Sequence, residues 1–155
     1  MPLTHVDAHG DAHMVDVGDK AITRRTATAE GFLYANAEAL AAVVERRAKK
    51  GDVLTIAQIA GIQGAKRTSD TLPLCHPLVL DRVEVALEVE PGRIRCEATT
   101  AVHGRTGVEM EALCGVTAAL LCAYDLLKAV DREMRIDGVR VLAKEGGRSG
   151  AWRAD

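Results

Sequence analysis

The segment at residues 66–78 combines charged, titratable and conformationally restricted side chains, and it reads KRTSDTLPLCHPL. Pro73 and Pro77 each restrict their own φ angle and disfavour helical geometry at the residue before them. His76 is therefore predicted to lie in stiff, non-helical backbone, in a segment that Lys66 opens with positive charge. An imidazole presented in this way suits a site for an anionic substrate. A surface turn with a solvated histidine fits the same residues, so the segment alone does not separate the two interpretations.

A second set of ionisable residues lies in a stretch predicted to be a long helix. Asp125 and Lys128 are three residues apart and share a helix face. They could form a surface ion pair of little energetic value, or the carboxylate could orient the lysine and tune its proton affinity. Glu111 precedes Asp125 by fourteen residues, which is about 21 Å along a helix axis. Either these two carboxylates are unrelated, or two copies of the chain complete one site.

Glu109 has a structural interpretation that competes with a functional one. It is the third residue after Thr106, and this spacing has the form of a capping box, in which the carboxylate bonds back to the cap residue. We favour the cap for Glu109. Glu111 has no such structural role and is the better functional candidate.

The composition is that of one globular domain and excludes several classes of partner. The chain has 155 residues, of which 48% are hydrophobic and 27% charged, with a net charge of −2 and only 3% aromatic residues. This charge gives no electrostatic case for nucleic acid, and the aromatic residues are too few for base-stacking platforms. No apolar run approaches the roughly 20 residues of a membrane span, and the first residues lack the features of a signal peptide. We expect no nucleic-acid or membrane partner.

The cysteines and histidines predict neither disulfides nor a metal site. The four cysteines form no CxxC pair, so we expect free thiols and a cytoplasmic location. His5, His9 and His13 recur every four residues, which on a helix would be a ladder of metal ligands. Gly10 and the aspartates among them argue against a helix, so a solvated arm is the better interpretation. We expect no metal and no other cofactor.

The order of predicted elements indicates an α+β fold. We predict an extended N-terminal arm at 1–20, a single domain at 21–145, and a flexible C-terminal tail at 146–155. A strand at 21–34 is followed by a helix that Asn36 caps and by a second helix at 55–66, with Ile56 and Ile59 on its apolar face. The remaining predicted elements are strands at 83–89 and 94–102, a helix from Thr106 to about 130, and a strand at 135–144.

This order is that of a ferredoxin-like sandwich, in which helices cover one face of a four-stranded antiparallel sheet. The opposite face carries Glu84, Glu88 and Glu97 but also Ala86. Because this face mixes charged and small residues, we expect it to pack against another subunit.

Several motifs occur in an order typical of one known family. These are MVDV at 14–17, KGD at 50–52, IAGIQ at 59–63, AKRT at 65–68, LPLCHPL at 72–78, GVEMEAL at 107–113, YD at 124–125, KA at 128–129, LAK at 142–144 and GGRSG at 146–150. Together they cover nearly the whole chain, which closely resembles the cyclic pyranopterin monophosphate synthase family, accessory protein C of molybdenum cofactor biosynthesis. Arg148 and Thr71 are small departures from that pattern.

The resemblance implies a reaction and an assembly. The family converts 3′,8-cyclo-7,8-dihydroguanosine 5′-triphosphate to cyclic pyranopterin monophosphate, and pyrophosphate leaves as the cyclic phosphate closes. It has a ferredoxin-like fold and forms a hexamer of three dimers, with sites between the two subunits of a dimer. Such a site could take Lys50 and Asp125 from different copies.

The resemblance also assigns the site residues. The family's catalytic positions correspond to Lys50, Asp125 and Lys128. The substrate pocket corresponds to Leu74, Cys75, His76, Met110 and Glu111, with Lys66, Glu109 and one of Arg24 or Arg25 nearby. Side chains alternate between the two faces of a strand, so only one of these arginines can face the site. We adopt Arg25 as the candidate, and Arg24 stays the alternative.

The expected chemistry is proton transfer beside a triphosphate. Lysines act as acid and base only if their pKa is pulled towards neutrality, and we expect crowding of two cations to do this. A non-catalytic small-molecule-sensing domain of the same fold is the alternative, since fold alone does not determine function. RNA binding is disfavoured because the two hairpin strands contain no aromatic residue.

Overall fold

The computed structural model describes residues 3–155; Met1 and Pro2, which begin the predicted arm, lie outside the described residues. Residues 3–155 form nine elements in the order β1 (Thr23–Tyr34), α1 (Ala37–Val44), α2 (Val53–Lys66), α3 (Thr68–Thr71), β2 (Arg82–Glu90), β3 (Arg93–Gly104), α4 (Glu109–Leu127), β4 (Arg135–Glu145) and β5 (Trp152–Arg153). The predicted α+β class is confirmed. The division into arm, domain and tail stays a prediction.

The strands form one antiparallel sheet in the order β2-β3-β1-β4-β5. The four predicted strands are present, but the sheet has a fifth. Strand β5 lies in the segment predicted to be a tail, and it pairs with β4 through Ala143–Arg153 and Lys144–Trp152. Two glycines with positive φ, Gly146 and Gly147, turn the chain back towards the sheet, and no hydrophobic periodicity in so short a strand could have predicted the pairing.

Helix α2 packs antiparallel to α4 through small residues. A Cβ atom at Gly61 would lie 2.9 Å from the carbonyl oxygen of Gly115, and one at Gly64 only 2.4 Å from the Cβ of Ala118. This contact corrects the predicted face of α2, because its buried residues are Val53, Ala57, Gly61 and Ala65. Ile59 instead is 55% exposed. Close helix approach favours glycine and alanine, so the bulkiest apolar side chains did not mark the buried face.

The helix starts agree with the predictions in one case and differ in another. Asn36 caps α1 by accepting a hydrogen bond from the backbone N–H of Ala39, as predicted. The capping box predicted at Thr106 is wrong, because α4 begins at Glu109 and its cap residue, Val108, makes no side-chain cap bond. The hydroxyl of Thr106 donates to the carbonyl of Gly107. The carboxylate of Glu109 is therefore free for another partner.

Among the described residues, one helix, α4, has the length and apolar composition of a membrane span. Its buried residues face the sheet and α2 inside the core, which is the environment of a core helix in a globular domain.

The sheet face opposite the helices carries an ionic network and lies uncovered in the single chain. Glu30 accepts hydrogen bonds from Arg95 at 3.0 Å and from Arg140 at 3.0 Å. The guanidinium of Arg93 lies 3.9 Å from the ring centre of Phe32. These ion pairs and the stacking of Arg93 on Phe32 make the face a largely polar surface.

Candidate functional site

Lys50, Asp125 and Lys128 come together in a cluster, which we call the lysine–aspartate cluster. The Nζ atom of Lys50 lies 3.0 Å from one carboxylate oxygen of Asp125, and the Nζ atom of Lys128 lies 2.7 Å from the other. Lys50 comes from the loop before α2, whose N-cap is Asp52. Because α2 and α4 are antiparallel, this loop reaches the C-terminal end of α4, where Asp125 and Lys128 lie.

The cluster corrects two expectations. Lys50 and Asp125 meet within one chain, so a shared site does not need to take them from different copies. The hydrogen bond to Asp125 raises the pKa of Lys128, where crowding of two cations was expected to lower it. Hydrogen bonds from Lys128 and Lys50 lower the pKa of Asp125. In the single chain the cluster therefore presents a protonated Lys128 on an ionised carboxylate.

A second cleft lies at the other end of α4, and we call it the Glu111 cleft. It encloses a cavity of about 130 Å³ whose lining residues are His5, Leu74, Cys75, His76, Leu78, Thr106, Gly107, Glu109, Met110 and Glu111. The segment that follows α3 is non-helical, as predicted, and a turn closed by the N–H of Cys75 on the carbonyl of Leu72 brings the thiol and His76 to the cleft.

Glu111 is the most unusual group in this cleft. The residue is 4% exposed, and burial raises the pKa of its carboxyl to about 7, with a further contribution from the charge of Glu109. Burial also raises the pKa of the Cys75 thiol, with Glu111 and Cys114 adding to the effect. The cleft thus holds a carboxyl that changes protonation near neutral pH and a thiol that stays protonated.

A recess rich in positive charge lies beside the Glu111 cleft, and we call it the cationic recess. Its lining residues are Asp19, Lys20, Ala21, Thr23, Arg25, Gly147, Arg148 and Ser149. Arg25 lines it and donates to the carbonyl of Gly104 at 3.1 Å, so of the two arginines left open it is Arg25 that faces the recess. The Oγ1 atom of Thr23 is a buried side-chain oxygen without a hydrogen-bond partner in the part of the chain that the structure describes.

Two contacts join the recess to the cleft. Lys144 on β4 lies 3.0 Å from a carboxylate oxygen of Glu109, which lines the cleft. Two residues further on, a Cβ atom at Gly146 would lie 2.2 Å from the carbonyl oxygen of Arg24, so only glycine lets the chain pass over β1 towards the recess. The recess, which Gly147 lines, and the cleft are therefore neighbours on the surface of the chain.

The cluster and the cleft stay apart in one chain. Helix α4 is continuous from Glu109 to Leu127, so the spacing predicted between Glu111 and Asp125, about 21 Å, applies to the structure. Lys66, in the last turn of α2, lies at the Glu111 end but is exposed and lines none of the three sites. No group of three His, Cys, Asp or Glu side chains within residues 3–155 converges as a metal site requires.

Comparison with known proteins decides the family. The model of the MoaC family matches residues 14–147. The chain belongs to the MoaC family. It is 56% identical to the cyclic pyranopterin monophosphate synthase of Methylobacterium sp. (strain 4-46). The alignment covers 99% of this chain and 97% of that relative. The proteins of the same name from Cereibacter sphaeroides (strain ATCC 17029 / ATH 2.4.9) and Corynebacterium efficiens are 53% and 54% identical, over 98% and 97% of this chain and 97% of each relative.

The structure places four further residues beside the predicted ones. Lys20, Lys144, Arg148 and His5 line or adjoin the two concave regions, and the sequence interpretation assigned none of them a role. The LAK and GGRSG motifs that carry the resemblance contain Lys144 and Arg148. The sequence therefore contained these two residues in recognised motifs, but it did not show that they lie beside a pocket. Lys20 and His5 lie in the predicted arm, where no pattern marked Lys20, and where the four-residue spacing of His5, His9 and His13 was set aside because no helix was expected.

Proposed function

We propose that this chain is the lyase of molybdenum cofactor biosynthesis that converts 3′,8-cyclo-7,8-dihydroguanosine 5′-triphosphate to cyclic pyranopterin monophosphate and pyrophosphate. The observation that carries the proposal is the lysine–aspartate cluster, in which Asp125 contacts both Lys50 and Lys128. A sensing domain of the same fold does not need two lysines on one carboxylate. The names of the relatives in three bacterial genera agree with this function.

Two of the three regions correspond to two parts of this substrate. The cationic recess would hold the triphosphate, because Lys20, Arg25 and Arg148 supply the charge and Thr23 a buried hydroxyl without a protein partner. The Glu111 cleft would hold the purine-derived ring, with Leu74 and Met110 as its apolar lining. The cluster would supply acid groups to the rearrangement.

The chemistry requires protons to move while a phosphate ester closes. A substrate hydroxyl oxygen forms a bond to the α-phosphorus, the bond from that phosphorus to the pyrophosphate oxygen breaks, and the hydroxyl proton must be taken up. Protonated Lys128 is suited to donate a proton or to stabilise developing negative charge. Asp125 acts by holding both ammonium groups in place, and no metal or organic cofactor is part of this proposal.

The proposed site is completed by two copies of the chain. Cluster and cleft lie at opposite ends of α4, which is too far for one substrate to contact both within a chain. A two-fold related copy could bring its own cluster to the cleft of the first, and the uncovered polar sheet face offers a further surface for assembly. We propose a cytoplasmic homo-oligomer, a hexamer built as a trimer of dimers with sites at the dimer interface.

The finer description of the fold is part of the proposal. The order β2-β3-β1-β4, with α2 and α4 packed on each other and against the sheet, supports a ferredoxin-like sandwich to which β5 is an addition. Its proposed parts are the arm at 1–20, the catalytic domain at 21–145 and the tail at 146–155.

The first experiment measures pyrophosphate release when the cyclised guanosine triphosphate is added to the purified protein. We expect multiple turnovers by the wild type and none by Asp125→Ala. Binding of this nucleotide without pyrophosphate release would support the sensing alternative and contradict the proposed function.

A mixing experiment tests the shared site. Asp125→Ala removes the cluster and Glu111→Ala removes the cleft, so reassembled mixtures should contain sites with an intact cluster from one chain and an intact cleft from the other. Activity should return. The matched control mixes Asp125→Ala with Lys50→Ala, which damage the same cluster and should not recover. No recovery in the first mixture, despite confirmed subunit exchange, contradicts a site between subunits.

A further inference from the structure

The N-terminal arm contains a small ordered hairpin. Val6 and Ala12 form an antiparallel bridge, and the N–H of His13 donates to the carbonyl of His5 at 3.0 Å. The carboxylate of Asp7 accepts hydrogen bonds from two backbone N–H groups in the turn, and Gly10 adopts a positive φ of 88° there. These bonds determine the backbone of residues 5–13 by local contacts, although the side chains are exposed.

The hairpin delivers one of its three histidines to the Glu111 cleft. His5 lines the cavity that Cys75, His76 and Glu111 also line, whereas His9 and His13 do not. The sequence interpretation considered all three as metal ligands and set them aside together. The structure separates them, because His9 follows Asp7 into the turn and His13 lies across the hairpin from His5.

We propose that His5 is a catalytic residue of the rearrangement, contacting the ring part of the substrate from the open side of the cleft. This inference rests on the proposed function, and it assigns to the arm a role in the site itself. A substrate ring in a cavity of about 130 Å³ lies within reach of the groups that line it, and His5 is one of them.

The imidazole of His5 adds a second group of this kind to the cleft, which His76 also lines. A neutral imidazole has one nitrogen that accepts a proton and one that donates. A rearrangement that moves hydrogen between substrate atoms needs a group that takes a proton and a group that gives one. In the proposed step His5 takes a proton from a ring N–H or hydroxyl of the substrate and becomes imidazolium. The buried carboxylic acid of Glu111 gives a proton to another ring atom, and the two groups exchange protons with solvent before the next turnover.

The hairpin is held by main-chain bonds and by the carboxylate of Asp7. The N–H of His13 donates to the backbone carbonyl of His5, so this bond does not involve the His5 side chain. Replacing the imidazole should therefore remove the proton carrier and keep the hairpin. This separation makes the role testable by substitution.

The test is steady-state pyrophosphate release by the full-length protein carrying His5→Ala, with His9→Ala and His13→Ala as matched controls in the same hairpin. General acid–base groups contribute about 10²–10⁴-fold, so we expect the kcat of His5→Ala to fall at least about 100-fold while KM changes less than about 3-fold. Both controls should stay within about 2-fold of the wild type. Added imidazole should raise the kcat of His5→Ala severalfold and leave His9→Ala unchanged.

Three outcomes would overturn the role of His5. The first is a His5→Ala enzyme within about 2-fold of the wild type. The second is an equal loss in all three variants, which would show that only the hairpin fold matters. The third is a loss that appears only in KM and that imidazole does not restore. A wild-type protein that releases no pyrophosphate would instead refute the proposed function, and the role of His5 with it.

Discussion

Replacing Glu111 by Gln should stabilise the protein above neutral pH. The residue is 4% exposed, and burial raises the pKa of its carboxyl from the ordinary 4.5 to about 7. Each factor of ten in proton affinity corresponds to about 1.4 kcal/mol, so ionised Glu111 costs about 3 kcal/mol of folding free energy.

The sign follows from proton binding. Between pH 4.5 and about 7 the folded state holds the Glu111 proton and the unfolded state has lost it, so stability falls as pH rises through this window. Glutamine keeps the size of the side chain and cannot ionise. Wild type and Glu111→Gln should therefore be similarly stable below pH 4.5, and the variant should be more stable by about 3 kcal/mol at pH 8.

The assay is urea unfolding at several pH values and one protein concentration, so that assembly contributes equally. Glu88→Gln is the control, because Glu88 is exposed and should show no such pH-dependent difference. A difference between wild type and Glu111→Gln that stays constant from pH 5 to pH 8 would refute the reasoning. A variant less stable than wild type at pH 8 would mean that Glu111 is ionised against a cation from a second copy.

Three further substitutions test the cluster, the recess and the helix contact. Lys128→Ala should bind substrate nearly normally and lose about 10²–10⁴-fold in kcat, because a proton-transfer group acts mainly in the transition state; single-turnover kinetics beside equilibrium binding measure this, and normal turnover would remove Lys128 from the mechanism. Lys20→Ala should raise KM more than Lys66→Ala does, with an effect that shrinks in high salt; equal effects would argue against the recess as the phosphate site. Gly64→Ala should destabilise the fold by about 1–3 kcal/mol, because its Cβ would meet that of Ala118 at 2.4 Å; an unchanged urea midpoint would contradict this.

The strands and the long helix were predictable because their signals are local. The strands predicted at 83–89 and 94–102 are present as β2 and β3. The buried face of α2 was not predictable in the same way. Gly61 and Ala65 face α4 because only small side chains allow the two helices to approach closely. A search for regularly spaced large apolar residues does not detect such a face.

The site was predictable in residue type and less so in arrangement. The spacing of Asp125 and Lys128 predicted their ion pair, and the structure adds Lys50 from a loop 75 residues earlier in the chain. That contact depends on α2 running antiparallel to α4, which no local pattern reports. The cationic recess was missed for a similar reason, since it brings Lys20 together with Arg148, which lies far away in the sequence.

The proton affinities of the two regions differ in a way that explains why a site would need both. Asp125 positions Lys128 and, by the same hydrogen bond, raises its pKa, so the cluster of an isolated chain offers acids and poor bases. Burial gives the carboxyl of Glu111 a pKa of about 7, which suits a group that accepts and returns protons at neutral pH. A rearrangement that both adds and removes protons needs acids and a base on the same substrate, and in the proposed step the base, His5, lines the cleft beside Glu111. One chain holds the cluster and the cleft at opposite ends of α4, and a two-fold pairing of chains is the simplest geometry that joins the cluster of one copy to the cleft of the other.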